Sequence, residues 1–349
     1  MERILQWNVR GLKVSSNSFF KIKKVVSNLE NIQNTHIFNL QETHLQDDTE
    51  IPKKFKDFDH MYHILSTHAT NFDRGAGIFL FINKTQPVIE QRVLHPGRLL
   101  YAKIKNKTTN EVRNIFSFYA KSNTTKQEID KVLGELSKKV HDDNLENVLV
   151  LGDFNFVTSL IDRNTSAFTN TDNSYRHGWT SFQLKHNLVD AFRFSNPKRR
   201  HYTYSHTNGK SRARLDRINV SSELVGKISS NRFEHASESD HRIVCLTLAK
   251  DVDVGPGQWI FNNTLLQNKD FIQEIENIVK SFSENKQDFN SKRSTWEFLK
   301  QNLACSAKHF SKRVAQKEKK IIEDARYKLE ILESIALDER TSSVTMKIK

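Results

Sequence analysis

The stretch "NVLVLGDFNF", residues 147–156, decides how the chain is to be read. Val148, Leu149, Val150 and Leu151 make a short, β-branched apolar run of the kind that forms a strand. The run stops at Gly152 and delivers Asp153 and Asn155 two positions apart. On a strand, residues i and i+2 point the same way, so the two polar side chains can act together at the strand's end. Gly152 lets the backbone turn or approach a ligand closely. Loops at strand ends are where rigid scaffolds carry chemistry. Gly, Asp and Asn are also turn formers, so the stretch alone leaves a plain turn open.

Working outward, the first 250 residues alternate such runs with helical patterns. "ERILQWNV", "HIFNLQE", "GAGIFLFI", "LLYAKI", "RNIFSFYA", "RLDRINV" and "RIVCLTL" read as further strands, while "SFFKIKKVVSNLENI" and "TTKQEIDKVLGELSKKV" space their apolar residues as helices do. Many strands and few helices predict sheets packed together and flanked by helices, an α/β (α+β) domain over residues 1–250. Gly255-Pro256-Gly257 breaks the chain, so residues 251–258 are read as a linker. Residues 259–349 then read as helical. Ile322, Ala325, Leu329, Leu332 and Ala336 form a heptad-like stripe of about two heptads, too short for a coiled coil and suited to an amphipathic helix.

Composition narrows the function classes. The 349 residues carry 54 Lys+Arg against 41 Asp+Glu, and the first 250 hold 37 of those bases and 26 of the acids. A basic surface attracts nucleic acid or an acidic membrane. No run is long and apolar enough for a membrane helix, and the N-terminus lacks the basic and apolar regions of a secretory signal. Two cysteines, Cys245 and Cys305, make neither a disulfide framework nor a four-thiolate zinc site, which points to a reducing compartment.

The polar strand ends ask for a common purpose. "ILQWN" ends on Asn8, "IFNLQE" on Glu42 and "IFSFY" on Tyr119; Asp216 lies inside the apolar pattern of "RARLDRI". "SESDH" places Ser239, Asp240 and His241 just before "RIVCLTL". Each has a plainer reading: Asn8 a cap, Glu42 the start of an acidic loop, Tyr119 core, His241 a loop histidine. Asp216 is hardest to dismiss, because an unpaired buried carboxylate is costly. A hard divalent cation unites them. Mg²⁺ takes oxygen ligands and one or two protein carboxylates, a role suited to Glu42 with Asn8 beside it. His241 backed by an Asp can donate to a phosphate oxygen, while Asp153 orients or deprotonates water and Asn155 donates a hydrogen bond. That set describes metal-assisted phosphodiester hydrolysis.

Taken together, "WNVRG", "QET", "FYA", "GDFN", "LDRI" and "SDH" resemble the ordered motif set of the endonuclease–exonuclease–phosphatase superfamily, over residues 4 to about 248. The resemblance implies a four-layered, two-sheet β-sandwich flanked by helices. It implies Glu42 as principal metal ligand supported by Asn8 and Asp240, and Asp153 as the residue that positions or activates water. Asn155 and Tyr119 would hold the phosphate, with Asp216 the partner of His241. Thr203 and Ser239 would contact DNA. The cofactor would be Mg²⁺, with Mn²⁺ as a substitute.

Three branches of the superfamily compete: nucleases, inositol-polyphosphate phosphatases and sphingomyelinases. "FVTSLIDRN" and "GWTSFQLKHNLVDAFR" resemble the apurinic-endonuclease-like nucleases of LINE-type retrotransposons, in which Asp190 would be structural. "GPGQWIFNNTLLQNKDFI" is similar to the segment that follows the nuclease in Tx1- and L1-type elements, ahead of a reverse transcriptase that this chain does not reach. The implied activity is nicking of double-stranded DNA to leave a 3′-hydroxyl for target-primed reverse transcription in the nucleus. Element RNA would be a partner through the full-length polyprotein, and no membrane is involved. Asn208-Gly209 signals a type I′ hairpin, with Lys210, Arg212 and Arg214 facing DNA beside Asp216. Lys198, Arg199 and Arg200 offer further phosphate contacts. A catalytically weak DNA-binding module and an inositol-phosphate or lipid phosphatase stand as alternatives.

Overall fold

A computed structural model describes residues 1–12, 16–30, 35–68, 70, 75–107, 110–122, 124–206, 211–249, 261–284 and 292–338. The chain divides into two compact units, Met1–Asp253 and Val254–Lys349. The expected linker at 251–258 lies outside the described residues.

In the first unit the strands run, in chain order, β1 (Glu2–Asn8), β2 (Ile37–Gln41), β3 (Tyr62–Thr67), β4 (Ile78–Asn83), β5 (Val88–His95), β6 (Leu99–Lys105) and β7 (Val112–Tyr119). There follow β8 (Val148–Asp153), β9 (Leu188–Asp190), β10 (Tyr204–Ser205), β11 (Arg212–Ala213), β12 (Asp216–Ser221), β13 (Ile228–Glu234) and β14 (Ile243–Leu248). They form two six-stranded mixed sheets, ordered β13-β14-β1-β2-β4-β3 and β5-β6-β7-β8-β12-β9, with β10 and β11 as a separate ribbon. The parallel pairs β1–β2 and β7–β8 need crossovers, and the helices Ser16–Glu30 and Lys126–Asp142 supply them. The second helix starts at a capping box, Thr125 with Glu128, and buries Ile129, Val132, Leu133, Leu136 and Val140 along one stripe. A third helix, Asn170–Lys185, is capped the same way by Thr169 and Asp172.

Side-chain alternation turns these strands into four layers. Ile4, Ile37, Ile115, Leu149 and Ile218 pack between the sheets, while their neighbours Leu5 and Phe38 pack outward in a separate cluster with Val25 and Leu29 of the first helix. Val148 and Val150 pack on the other outer side with Val132, Leu136, Trp179 and Phe182. Followed toward one end of the sandwich, each interior row turns polar in phase. Ile4 leads to Gln6 and Asn8, Ile37 to Asn39 and Gln41, Ile115 to Ser117 and Tyr119, Leu149 and Leu151 to Asp153, and Val220 and Ile218 to Asp216.

In the second unit, Leu265, Phe271, Ala307 and Phe310 form a small core between the helices Lys269–Glu284 and Lys292–Asp338. The heptad-like stripe lies on the latter helix, where Ile322 is half exposed. Cys245 and Cys305 are both free thiols. Among the described residues no helix is long and apolar enough to cross a membrane.

A buried ion-pair cluster fixes the segment leading into β12. Arg214 is 1% exposed; it donates to Asp162 at 2.7 and 2.8 Å and to Asp190 at 2.7 Å, and Arg193 closes on Asp162 from the side. Asp190 also caps the helix Ala191–Ser195. The expectation that Arg214 meets DNA is therefore corrected: its guanidinium points into the protein and is held by two carboxylates. Removing one partner of such a cluster leaves an uncompensated buried charge. Arg214→Ala should cost about 3–5 kcal/mol in urea unfolding of the first unit.

His201 makes a second prediction. Its ring stacks on Phe233 with centroids 4.2 Å apart, and although the residue is only partly buried, Nε2 is buried without a hydrogen-bond partner. Burial, then the nearby Arg242 and Arg199, push its pKa down to about 3. Neutral His201 thus stabilises the fold above its unfolded pKa of roughly 6.5, and that stability is lost as pH falls from there toward 3. In His201→Phe, the acid-side loss of stability should be shallower than in wild type by up to about 1.4 kcal/mol per pH unit. Parallel slopes in denaturant titrations from pH 7 to 4 would contradict this.

Candidate active site

The polar ends of the interior rows converge. Asn8, at the end of β1, donates through Nδ2 to Glu42 Oε2 at 2.6 Å and to Asp153 Oδ2 at 2.8 Å. One amide thus joins the first sheet, the loop after β2 and the second sheet. Asp216 faces Asp153 across the β8–β12 register, as does Tyr119 across β7–β8. His241 Nδ1 lies 2.7 Å from Asp216 Oδ2, and Nε2 lies 4.0 Å from Asp153 Oδ2. Asn8, Asp153 and Asp216 have no exposed surface, and His241 has 6%.

Asn155 reaches the group differently from the strand-period expectation. β8 ends at Asp153, and Asn155 is left-handed at φ 53°, with its amide donating to Asp153 Oδ1 at 2.9 Å. A turn therefore brings Asp153 and Asn155 together, and the Asn155 side chain donates to the Ala120 carbonyl at 2.6 Å. Gly152 serves close packing: a Cβ there would lie 1.7 Å from the Phe118 carbonyl oxygen and 2.4 Å from Gln41 Nε2. Glu42 is also left-handed, at φ 58°, a conformation that non-glycine residues adopt at a cost where the surroundings enforce it.

Beneath the acids lies a network that sequence reading missed. Gln6 Nε2 donates to Gln41 Oε1 and to Asp216 Oδ1, and its own Oε1 accepts from Asn39. Ser117 donates to Asn39, while Gln41 accepts from the Asp153 amide and donates to the Phe118 carbonyl. All four side chains are fully buried. Their signal in the sequence was a polar residue in phase with the interior apolar positions: Gln6 two before Asn8 on β1, Ser117 two before Tyr119 on β7, and Asn39 and Gln41 on β2, three and one before Glu42.

Electrostatics separate the roles. Burial, then repulsion from Asp216, raise Asp153 to about 7. Burial would lower His241, but Asp216 and then Asp153 and Asp240 raise it to about 10, so the ring is a cation near neutrality. Burial would raise Glu42, yet hydrogen bonds from His44 and Asn8 hold it below the usual carboxylate range, so it is ionised. Asp240 Oδ2 pairs with Arg10 Nη1 at 2.7 Å, and its Oδ1 is buried with no hydrogen-bond partner. An ionised carboxylate and an orphaned carboxylate oxygen are the oxygen donors a hard divalent cation takes. Asp153, Asp216 and His241 also bring ligand atoms within 4.8 Å of one another, a spacing able to hold a metal. Within that trio Nδ1 of His241 is already engaged by Asp216 at 2.7 Å, and Nε2 faces Asp153 Oδ2 at 4.0 Å, beyond hydrogen-bond distance.

The expected DNA contacts fare differently. Thr203 is 1% exposed, and its Oγ1 accepts from the amides of Leu215 and Asp216, so it is corrected to a support for the start of β12. Ser239 Oγ donates to the Asn8 carbonyl and accepts from the His241 amide, which ties the partly exposed serine and the histidine to β1. Lys198, Arg199 and Arg200 are exposed between the helix Ala191–Ser195 and β10. Arg212 is partly buried on β11, its amide donating to Asn164. Lys210 and the Asn208-Gly209 turn lie outside the described residues.

Comparison with known proteins agrees with this geometry. The model of the endonuclease/exonuclease/phosphatase family matches residues 5–241. An uncharacterized 149 kDa protein of transposon TX1 from Xenopus laevis is 26% identical over 243 residues, which are 68% of this chain and 18% of that protein. The chain thus spans less than a fifth of that relative's length. The fold is shared with the AP endonuclease LMAP of Leishmania major, at a TM-score of 0.57 and 18% identity over 71% of this chain and 88% of that one. It is shared with the 3′ phosphatase NExo from Neisseria bound to a product DNA hairpin, at 0.57 and 18% over 72% and 100%. The endonuclease domain of TRAS1, a telomere-specific non-LTR retrotransposon, aligns at 0.52 and 14% over 72% and 100%. With a family match across the unit that bears the buried acids and His241, the chain belongs to the endonuclease/exonuclease/phosphatase family.

Proposed function

We propose that this chain is a divalent-metal-dependent endonuclease that nicks duplex DNA by phosphodiester hydrolysis and leaves a 3′-hydroxyl. The observation that carries the reading is the convergence of ionised Glu42 and high-pKa Asp153 on the single amide of Asn8, with cationic His241 facing Asp153 at 4.0 Å. Asp153 accepts the proton of the attacking water, a task that favours a base with a pKa near the working pH. Asn155 and Tyr119 orient that water and the phosphate. His241, held by Asp216, donates to a non-bridging phosphate oxygen and, being a cation, serves as donor rather than base. Glu42, with Asn8 and Asp240, would hold Mg²⁺ or Mn²⁺. The metal would supply charge neutralisation on the phosphate and the leaving oxygen.

The similarity to a transposon TX1 protein and to the TRAS1 endonuclease supports a transposon setting. There the 3′-hydroxyl would prime reverse transcription in the nucleus, with element RNA as a further partner. Exposed Arg199 and Arg200, with Lys210 and Arg212, would meet phosphates of the target DNA.

Supercoiled plasmid should convert to open circles with Mg²⁺ and not with chelator, and the nicks should serve a DNA polymerase as primers without prior phosphatase treatment. Asp153→Ala and His241→Ala should each lose on the order of 10²-fold or more. DNA binding without nicking would favour a targeting module; phosphate release from an inositol polyphosphate without nicking would favour a phosphatase. Separately, ¹⁵N NMR of the metal-free protein should find the His241 ring still protonated well above pH 7. Asp216→Asn should return it toward the ordinary histidine range, because the nearest stabilising anion is gone. Ordinary titration near 6.5 in wild type would remove the basis for the donor role.

A further inference from the structure

Arg10 is unexplained by the roles above, and its geometry is unusual. Its backbone is left-handed, at φ 48°, and Gly11 follows at φ 87°. A glycine at position 10 would adopt that conformation without strain, yet the chain places an arginine there. The turn is clamped from all sides. The Arg10 amide donates to Asn8 Oδ1 at 2.9 Å, Gly11 N donates to the Glu42 carbonyl at 2.7 Å, and buried Lys21 donates to the carbonyls of Arg10 and Gly11 at 2.9 and 3.2 Å. The amide that fixes Glu42 and Asp153 therefore also fixes where Arg10 projects.

The side chain is 55% exposed and, among the described residues, is held by one bond, Nη1 to Asp240 Oδ2 at 2.7 Å, immediately before His241 in the chain. A guanidinium carries five N–H donors in a rigid fork, so one edge can stay on Asp240 while the other faces outward. Glu42, Asp153, Asp216 and Asp240 are gathered at this end of the sandwich, and a polyanionic substrate must approach them. A fixed cation at the rim offsets that repulsion. His241 and Asp153 are buried and serve the scissile phosphate, whereas Arg10 stands outside them in solvent. Resting on the nuclease reading, we infer that Arg10 is a substrate-positioning contact to the backbone phosphate adjacent to the scissile one, with Asp240 as the brace that aims it.

The test is binding of a labelled 20-base-pair duplex by the whole chain in EDTA at a series of salt concentrations. Wild type, Arg10→Gly and Arg10→Lys are compared. Arg10→Gly suits the left-handed backbone, which offsets part of the lost Asp240 ion pair, so the variant should remain folded with a cooperative thermal transition. Its affinity should fall several-fold, and its log–log salt slope should shrink by about 0.9, the loss of one phosphate contact. Arg10→Lys should keep the slope. Single methylphosphonate substitutions along the duplex should reveal one position beside the nick where neutralisation weakens wild type but not Arg10→Gly. An unchanged slope in Arg10→Gly, or no such position, overturns the inference. So does a fall in kcat alone, since Arg10 would then act only through Asp240. Nicking by the same wild-type preparation keeps the two readings apart. Nicking with an Arg10-independent slope sinks only the Arg10 contact, whereas an Arg10-dependent slope without nicking sinks only the nuclease reading.

Discussion

Two carboxylates, Asp153 and Asp216, lie face to face with no exposed surface, and the rest of the site is the means of keeping them there. Ionised groups removed from water are tolerated only with partners, and adjacent like charges push one another toward neutrality. His241 resolves the conflict by placing a cation against Asp216 and directing its other nitrogen toward Asp153. The remaining oxygens take donors from elsewhere: Gln6 for Asp216, and Asn8 and Asn155 for Asp153. These partners are 210, 145 and 2 residues away along the chain. A local turn supplies the last, but only the closed sandwich brings in the first two, so the site is completed by folding of the whole unit.

Much of this was legible because interior strands advertise themselves. All eight runs read as strands correspond to β1, β2, β4, β6, β7, β8, β12 and β14, which are interior strands of the two sheets. The four edge strands β3, β5, β9 and β13 carried no comparable signal. β5, "VIEQRVLH", and β13, "ISSNRFE", are largely exposed or half-buried, so neither needs an apolar run. The acids were legible for the converse reason: Asp216 interrupts an apolar pattern, and such an interruption requires a partner. Gln6, Asn39 and Ser117 interrupt the same patterns, but neutral side chains are common enough in strands to pass unnoticed.

Arginines were the least legible residues. Arg214, Arg212 and Arg10 share one chemistry and sit near the same site, yet Arg214 is locked between Asp162 and Asp190 while Arg10 reaches into solvent. Asp162 supplies the difference, and it lies 52 residues before Arg214. Charge counted along the sequence therefore identified a basic domain without identifying which cations remain available to a ligand. Arg217 makes the same point: neighbouring Asp216 in sequence, it turns to the opposite face, over the rings of Phe154 and Phe156, and donates to the Phe156 carbonyl.

The change from apolar to polar along each interior row also has a mechanical meaning. Where the sheets meet through Ile4, Ile115, Leu149 and Ile218, contact is non-directional, and small lateral slip changes little. Where they meet through Gln6–Asp216, Asn39–Ser117, Gln41–Asp153 and Asn8–Asp153, the contacts are hydrogen bonds with defined directions. The polar end therefore acts as a locating pin that sets the offset of one sheet on the other, and the apolar end follows. Sequence drift should be tolerated unequally along the same strands, freely among aliphatic residues at one end and hardly at all at the other. Catalytic alignment and sheet alignment would then be a single inherited trait.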